Sequence, residues 1–136
     1  MNIFICTSKH LYGHVPEIKE ALEKKGHVIT LPNSYDNPLR EQEMKALGKE
    51  DHAVWKGSMI KLQIQKIEAN DAILVLNMEK NGQANYIGGA TFLEIFKAFE
   101  LGKKIYLYND LPENMLKDEL LGMSPTVIHG NLNLIS

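Results

Sequence analysis

The run from Ala72 to Leu76 (Ala-Ile-Leu-Val-Leu) is apolar at every position. A strand with one solvated face alternates apolar and polar residues, whereas a central parallel strand is covered on both faces and is apolar throughout. The run therefore predicts a central parallel strand. Because parallel strands are joined by long crossovers, usually helices, it also predicts that strands and helices alternate along the chain.

The remaining sequence follows this alternation between short apolar runs and helical spacing of apolar residues. Five strands are predicted, at Asn2–Cys6, His27–Leu31, Ala72–Leu76, Ile105–Tyr108 and Thr126–His129. Five helices are predicted: from Leu11 to about Lys25, Arg40–Leu47, Asp51–Ala69, Thr91–Leu101, and from Pro112 to about Leu121. This order predicts one α/β domain over residues 1–136, a doubly wound three-layer sandwich of the flavodoxin-like or Rossmann-like class. The expected strand order is 2-1-3-4-5, with right-handed crossovers.

Composition restricts the partners of the chain. Its 15 Lys and Arg residues against 17 Asp and Glu residues leave no basic surplus for binding a nucleic-acid polymer or a membrane surface. The N-terminal segment lacks the pattern of a secretory signal, so we expect a cytoplasmic protein. The single cysteine, Cys6, lies in an apolar run and is expected to be buried. The histidines and this cysteine show no metal-ligand spacing, and we expect neither a metal nor a cofactor.

The predicted topology places the functional site before any motif is considered. In such sheets ligands bind outside the carboxyl ends of the strands, where the strand order reverses. Two loops meet there: Thr7-Ser8-Lys9-His10 after the first strand, and the segment from Asn77 to Gly89 after the third. Asp71, about 20 Å away at the other end of the third strand, is expected to be structural.

The second loop carries the strongest candidates. Gly88 and Gly89 precede a predicted helix, and backbone amides at such a helix start attract anions. Glu94 lies among apolar neighbours and has two interpretations. It is either a carboxylate that acts at a ligand cleft, or the last residue of a capping box formed with Thr91. Spacing alone favours the cap.

The other polar candidates have equally plain structural alternatives. Ser8 either binds phosphate or forms a turn, Lys9 and His10 either neutralise an anion or are simply solvated, and Tyr86 either stacks on a ligand or packs. The stripe of Phe92, Phe96 and Phe99 is expected in the core.

Several segments together resemble one known family. They are Cys6-Thr7-Ser8, Gly26-His27 with Pro32, Asn70-Asp71 with the apolar run and Asn77, Tyr86-Ile87-Gly88-Gly89-Ala90-Thr91-Phe92-Leu93-Glu94-Ile95, and Leu101-Gly102-Lys103-Lys104-Ile105. The chain resembles the nucleoside 2-deoxyribosyltransferase-like proteins, which include the deoxynucleoside 5′-monophosphate N-glycosidases. It looks most similar to a subgroup of small bacterial and archaeal members.

The resemblance implies a reaction and roles for residues. Glu94 would attack the anomeric carbon of a 2-deoxyribose, the base would leave, and water or a second base would resolve the covalent intermediate, as in retaining glycosidases. Tyr86 is the second candidate catalytic residue. The loops that would hold the sugar and a 5′-phosphate supply Thr7, Ser8, Lys9, His10, Asn77, Gly88, Gly89 and Thr91.

Two departures from the family pattern keep an alternative open. Gln63 and Gly88 stand where active relatives carry Asp. Without an acid, protonation of the leaving base would fall to Tyr86, His10 or water. The alternative is a nucleotide-binding or sensing module without catalysis. A receiver-type interaction domain is disfavoured, because Thr7 and Asn77 stand where it needs acidic residues.

The predicted helix over Asp51–Ala69 has two apolar stripes. One comprises Trp55, Met59 and Leu62, and the other Ile60, Ile64 and Ile67. An apolar surface wider than one stripe indicates burial on more than one side. Together with the family resemblance, it predicts a homodimer or larger homo-oligomer.

Overall fold

The computed structural model describes all residues from Met1 to Ser136. Five strands form one parallel sheet: β1 (Asn2–Cys6), β2 (Val28–Thr30), β3 (Ala72–Val75), β4 (Lys104–Leu107) and β5 (Thr126–Val127). Their order in the sheet is β2-β1-β3-β4-β5, which confirms the predicted fold class and strand order. The order reverses at β1, which lies between β2 and β3.

Helices cover both faces of the sheet. They are α1 (Val15–Lys24), α2 (Arg40–Leu47), α3 (Lys49–Glu68), α4 (Gly89–Glu100) and α5 (Lys117–Gly122). One core cluster packs Phe4 and Val75 of the sheet against α3, α4 and α5. A second cluster, on the opposite face, packs Ile3 and Leu74 against α1. β3 therefore contributes side chains to two cores, which is why its sequence is apolar at every position.

The paired ends of β1 and β3 bring the two predicted loops together. Cys6 is in register with Val75, and the Thr7 hydroxyl donates a hydrogen bond to the carbonyl oxygen of Leu76 at 2.9 Å. At the opposite edge, Asp71 accepts a hydrogen bond from the backbone N–H of Asn2 at 2.8 Å. Asp71 thus has the structural role that its position predicted.

Some element boundaries differ from the predictions. The first helix begins as a 3-10 turn over Lys9–His14 and becomes α-helical only at Val15, with Pro16 in its first turn, where a missing N–H costs nothing. The last helix begins at Lys117 rather than Pro112. The Asn114 side chain accepts a hydrogen bond from the N–H of Leu116 at 2.9 Å and holds the preceding segment in a turn.

The expectation that the phenylalanines of α4 are core residues is wrong for two of the three. Phe92 packs against the core, but Phe96 is 50% exposed and Phe99 is 49% exposed. The face of α4 that packs inward carries Thr91, Glu94, Ile95 and Ala98, and Phe96 and Phe99 project away from it.

No helix of the protein is both long enough and apolar enough to pass through a lipid bilayer.

Candidate functional site

A cavity of about 360 Å³ opens beside the carboxyl ends of β1 and β3. Its walls are the loops after β1 and β2, one side of α2, one side of α3 and the first turns of α4. All candidate residues of the first loop and most of those of the second line it: Thr7, Ser8, Lys9, His10, Tyr86, Gly88, Gly89, Thr91 and Glu94. The structure therefore brings together nine of the ten residues predicted for the site.

Glu94 is a buried acid in the wall of this cavity. Only 6% of its surface is exposed. Burial raises the pKa of its carboxyl to about 8, although the Cys6 thiol and the positive charge of Lys66 both act to lower it. At pH 7 this pKa favours the protonated carboxyl. A carboxyl with this pKa can change its protonation state in the neutral range.

The capping interpretation of Glu94 is wrong. The helix begins at Gly89, two residues before the predicted start, and its N-cap is Gly88 without any side-chain cap. Glu94 is therefore the sixth residue of α4 and lies beyond the third position, which a capping box requires. Gly88 is extended, with φ −84° and ψ 175°, so it supports a helix start without a capping side chain.

The uncapped start of α4 presents backbone donors to the cavity. The N–H groups of Gly89, Ala90 and Thr91 belong to the first helical turn, which has no intrahelical acceptors for them. Gly88, Gly89, Ala90 and Thr91 all line the cavity. An anion placed there would accept hydrogen bonds from these groups and would benefit from the helix dipole.

Tyr86 lies against this helix start and is held by Lys80. The ammonium nitrogen of Lys80 is 3.3 Å from the Tyr86 hydroxyl oxygen, to which it donates, and 4.4 Å from the ring centroid. A side chain at Gly88 would place its Cβ 3.1 Å from the same hydroxyl, a tight approach that would displace the Tyr86 hydroxyl by a few tenths of an ångström. Lys80 itself lines the cavity and was not among the predicted site residues.

The loop after β1 adds positive charge to the same region. Lys9 and His10 line the cavity, and desolvation together with the charges of Lys80 and Lys9 lowers the pKa of His10 and favours its neutral form. Lys80 lines the same cavity as Lys9, which also includes the start of α4. The two ammonium groups fit an anionic ligand.

Asn77 is the one predicted site residue that lies outside the cavity. It is fully buried, and its amide donates to the carbonyl oxygens of Asn109 at 3.0 Å and Asp110 at 2.9 Å. Its side-chain oxygen accepts from the N–H of Asn109 at 2.8 Å. These bonds occupy the amide in joining the end of β3 to the loop after β4.

Glu41 of α2 was missed by sequence reasoning. Its carboxylate accepts hydrogen bonds from His52 at 3.0 Å and Lys56 at 3.1 Å, and Lys9 lies 3.8 Å away. Burial acts to raise its pKa, but these partners outweigh burial and hold the pKa at about 2. The local sequence contains no signal for this cluster, because its members come from three separate elements that meet only in the folded chain.

One side of α3 completes the cavity with Trp55, Lys56, Met59, Ile60 and Gln63. This face combines members of both apolar stripes, so part of the wide apolar surface of α3 faces the cavity. Facing it, Tyr12 donates a hydrogen bond to the carbonyl oxygen of Asn33. Burial, with the nearby Glu94 and Glu41, raises the pKa of Tyr12 to about 12, so its phenol stays protonated.

No group of three or more His, Cys, Asp or Glu side chains is arranged to hold a metal ion. The site is instead a cavity with a buried carboxyl, a cluster of cations and an uncapped helix start.

Neither a protein-family model nor a curated protein matches this chain.

Proposed function

We propose that the protein cleaves or exchanges the N-glycosidic bond of a deoxynucleoside or its 5′-monophosphate, with Glu94 as the nucleophile. The observation that carries this proposal is the buried Glu94 carboxyl in the wall of a cavity that also presents cations and free backbone N–H groups. The volume of about 360 Å³ falls in the range of small-molecule sites. The resemblance to the nucleoside 2-deoxyribosyltransferase-like family suggests the substrate class.

The ligand would be oriented by charge. A 5′-phosphate would fit the start of α4, where Gly89, Ala90 and Thr91 offer N–H groups in a cavity that Lys9 and Lys80 also line. Phosphate accepts several charge-assisted hydrogen bonds at once. Binding the phosphate at this place would bring the sugar over the cavity wall that holds Glu94.

The reaction proceeds in two steps. A carboxylate oxygen of Glu94 bonds to the anomeric carbon, the bond from that carbon to the base nitrogen breaks, and its electron pair leaves with the base. Water or a second base then attacks the same carbon from the opposite side. The ester bond to Glu94 breaks, its electron pair returns to the carboxylate, and the proton of the attacking water passes to solvent.

The leaving base needs a proton, and we propose that Tyr86 supplies it. Its hydroxyl oxygen accepts a hydrogen bond from Lys80, so its own O–H proton remains free for another acceptor. Gln63 cannot act as an acid, and its amide is turned to the carbonyl oxygen of Ala90. We therefore propose weak turnover, since a positioned strong acid typically contributes about 10²- to 10⁴-fold in rate.

The alternative function is nucleotide binding without catalysis. Two observations favour it: Gln63 replaces the acid of active relatives, and the pKa of about 8 leaves most Glu94 carboxyls protonated at pH 7. A protonated carboxyl donates a hydrogen bond to a ligand but does not attack carbon.

We also propose a homo-oligomer. Phe96 and Phe99 on α4 are half exposed, Leu93 beside them is 43% exposed, and Val54 on α3 is 76% exposed. Burial of such side chains against a second copy is favourable by about 25 cal/mol per Å² of apolar surface. The outer sides of α3 and α4 are the surfaces that fit this contact.

Incubation with deoxynucleosides and their 5′-monophosphates tests the proposal, with free base measured by chromatography. We expect release of base by the parent protein and none by Glu94→Gln, with Glu100→Gln on the exposed side of α4 as the matched control. If no base is released while a monophosphate binds to the parent, the alternative function is correct. Release of base at equal rates by the parent and Glu94→Gln would refute the role of Glu94.

A further inference from the structure

Glu41 of α2 is the one carboxylate besides Glu94 that lines the cavity. Its side chain is 20% exposed, so it is neither sealed in the core nor free in solvent. Its low pKa keeps the carboxylate ionised at neutral pH. The proposed reaction uses Glu94 and leaves Glu41 without a role. A ligand that fills the cavity nevertheless meets this charged acceptor in the wall.

The two oxygens of the Glu41 carboxylate have different surroundings. Oε2 accepts hydrogen bonds from His52 at 3.0 Å and from Lys56 at 3.1 Å, which hold the carboxylate in one orientation. Oε1 has no hydrogen bond, and the ammonium nitrogen of Lys9 lies 3.8 Å from it. Oε1 is not buried, since the only buried side-chain oxygen without a partner belongs to Asn33. Oε1 is therefore a fixed and accessible acceptor with unused lone pairs.

Helix α3 measures the separation between this acceptor and the start of α4. Gln63 contacts the start of α4 through the carbonyl oxygen of Ala90, and Lys56 contacts Glu41. Gln63 follows Lys56 by seven positions, two helical turns, which is about 10 Å along the helix axis. The phosphate and the far edge of the base are separated by a similar length in an extended nucleotide. A nucleotide with its phosphate at the start of α4 would therefore bring the edge of its base to Glu41.

The wall that α3 forms next to Lys56 suits a planar ring. Trp55, Met59 and Ile60 line the cavity there. Bases stack on aromatic side chains and pack against apolar ones, whatever groups they carry at their edges. This wall would thus hold the faces of a base without selecting it, and the selection would fall to the polar group that meets its edge.

We infer that Oε1 of Glu41 determines the specificity of the site by accepting a hydrogen bond from an amino group at the far edge of the base. The ligand is then a nucleotide whose base carries an exocyclic amino group, such as cytosine or adenine. Uracil and hypoxanthine would place a carbonyl oxygen there, which a carboxylate repels. The N3–H of uracil is no substitute, because a carbonyl oxygen flanks it on each side. This inference rests on the proposed function, which supplies the nucleotide and its orientation.

Pairs of nucleotides with the same sugar and phosphate test the inference without any need for turnover. The 5′-monophosphates of deoxycytidine and deoxyuridine carry an amino group and a carbonyl oxygen, respectively, at C4 of the base. Those of deoxyadenosine and deoxyinosine differ in the same way at C6. Isothermal titration calorimetry measures the dissociation constants for the parent, Glu41→Gln and Glu43→Gln. Glu43 is exposed on the same helix and pairs with Arg40, so Glu43→Gln is the matched control.

In the parent we expect the amino member of at least one pair to bind at least tenfold more tightly than its carbonyl partner. Glu41→Gln should lose or reverse this preference, because its amide oxygen can keep the bonds of Oε2 while its amide nitrogen, a donor, replaces Oε1. Glu43→Gln should keep it. Should Glu41→Gln fail to fold, Glu41→Asp withdraws the acceptor by one methylene and should weaken the preference. Equal affinities within both pairs, or a preference that survives in folded Glu41→Gln, would overturn the inference.

Base release from the same nucleotides separates this inference from the proposed catalysis. A preference for the amino member without release of base retains the role of Glu41 and refutes the catalysis. Release that depends on Glu94, with equal affinity for both members of each pair, retains the catalysis and refutes the role of Glu41. If none of the four nucleotides binds at millimolar concentration, both are refuted.

Discussion

Gln63 donates a hydrogen bond from its side-chain nitrogen to the carbonyl oxygen of Ala90, 3.4 Å away, and so joins α3 to the first turn of α4. Both residues line the cavity that contains Glu94. The resemblance to the deoxyribosyltransferase-like family places an acid at this position, whereas this chain uses the position for a contact between helices.

Replacing Gln63 by Asp should raise the rate of base release, because it would add a carboxylic acid, a stronger acid than the proposed Tyr86. A positioned general acid is typically worth about 10²- to 10⁴-fold. Gln63→Asn is the matched control, since it shortens the side chain equally and adds no acid. A rate in folded Gln63→Asp no higher than in Gln63→Asn would show that another group protonates the base or that no proton is needed.

The pH dependence of base release should follow the ionisation of Glu94. In the proposed reaction the nucleophile is the ionised carboxylate, and burial raises the pKa of the carboxyl to about 8. We therefore expect kcat/KM to increase about tenfold per pH unit below pH 8 and to level off above it. A profile that instead falls above pH 8 would mean that Glu94 acts as an acid and not as the nucleophile.

Burial of Glu94 should also make the free energy of unfolding depend on pH. The folded protein holds the Glu94 proton up to about pH 8, whereas an unfolded glutamate loses it near pH 4.5. The stabilising contribution of this group is thus complete below pH 4.5 and is lost as the pH rises to 8. The loss is on the order of 5 kcal/mol, since one pKa unit corresponds to about 1.36 kcal/mol.

Denaturant unfolding at pH 5 and pH 8.5 measures this effect. Between these two pH values the free energy of unfolding should decrease less in Glu94→Gln than in the parent. The difference should be close to the loss attributed to Glu94 above. Glu100→Gln should behave like the parent. An equal pH dependence in Glu94→Gln and the parent would show that Glu94 titrates normally in the folded protein.

Glu41 should make the free energy of unfolding decrease as the pH falls, which is opposite to the effect of Glu94. Its pKa is about 2 because His52, Lys56 and Lys9 stabilise its carboxylate. Its stabilising contribution is therefore present above pH 4.5 and is lost as the pH falls toward 2. Glu41→Gln should flatten the acid limb of a plot of stability against pH, while Glu43→Gln on the same helix should leave it unchanged. Identical acid limbs for Glu41→Gln and Glu43→Gln would contradict the cluster.

Phe96→Lys tests the proposed oligomer. A charge at the centre of the exposed apolar side of α4 should dissociate an assembly that buries this side chain, and folding should be unaffected because Phe96 is half exposed. Sedimentation velocity at micromolar concentration measures the change. A parent protein that already sediments as a monomer would refute the oligomer.

The topology could be predicted from the sequence because its signals are local. The apolar run in β3, the glycines and prolines at helix ends, and the change from helical spacing to strands lie within short windows, and they place the loops after β1 and β3 at one edge. The start of α5 was shifted by the local turn at Asn114, and α4 begins two residues early because Gly88 starts it without a capping side chain.

The sequence could predict only those site residues that lie in the loops after β1 and β3, beside the point where the strand order reverses. Lys80 and Glu41 join the cavity through tertiary contacts with Tyr86 and Lys56 that no spacing along the chain reveals. Asn77 occupied the correct edge, but its side chain is held by the loop after β4. Strand topology fixes the edge at which a residue lies, whereas packing decides the direction of its side chain.

Mass spectrometry of the protein incubated with a 2-deoxy-2-fluoro nucleoside 5′-monophosphate tests the role of Glu94 most directly. The fluorine destabilises the oxocarbenium-like transition state, so a covalent intermediate forms and persists. We predict that the peptide containing Glu94 gains the mass of the fluorinated sugar phosphate in the parent and that Glu94→Gln gains none. A parent protein that releases base without this adduct, or a Glu94→Gln variant that cleaves substrate as fast as the parent, would contradict the account.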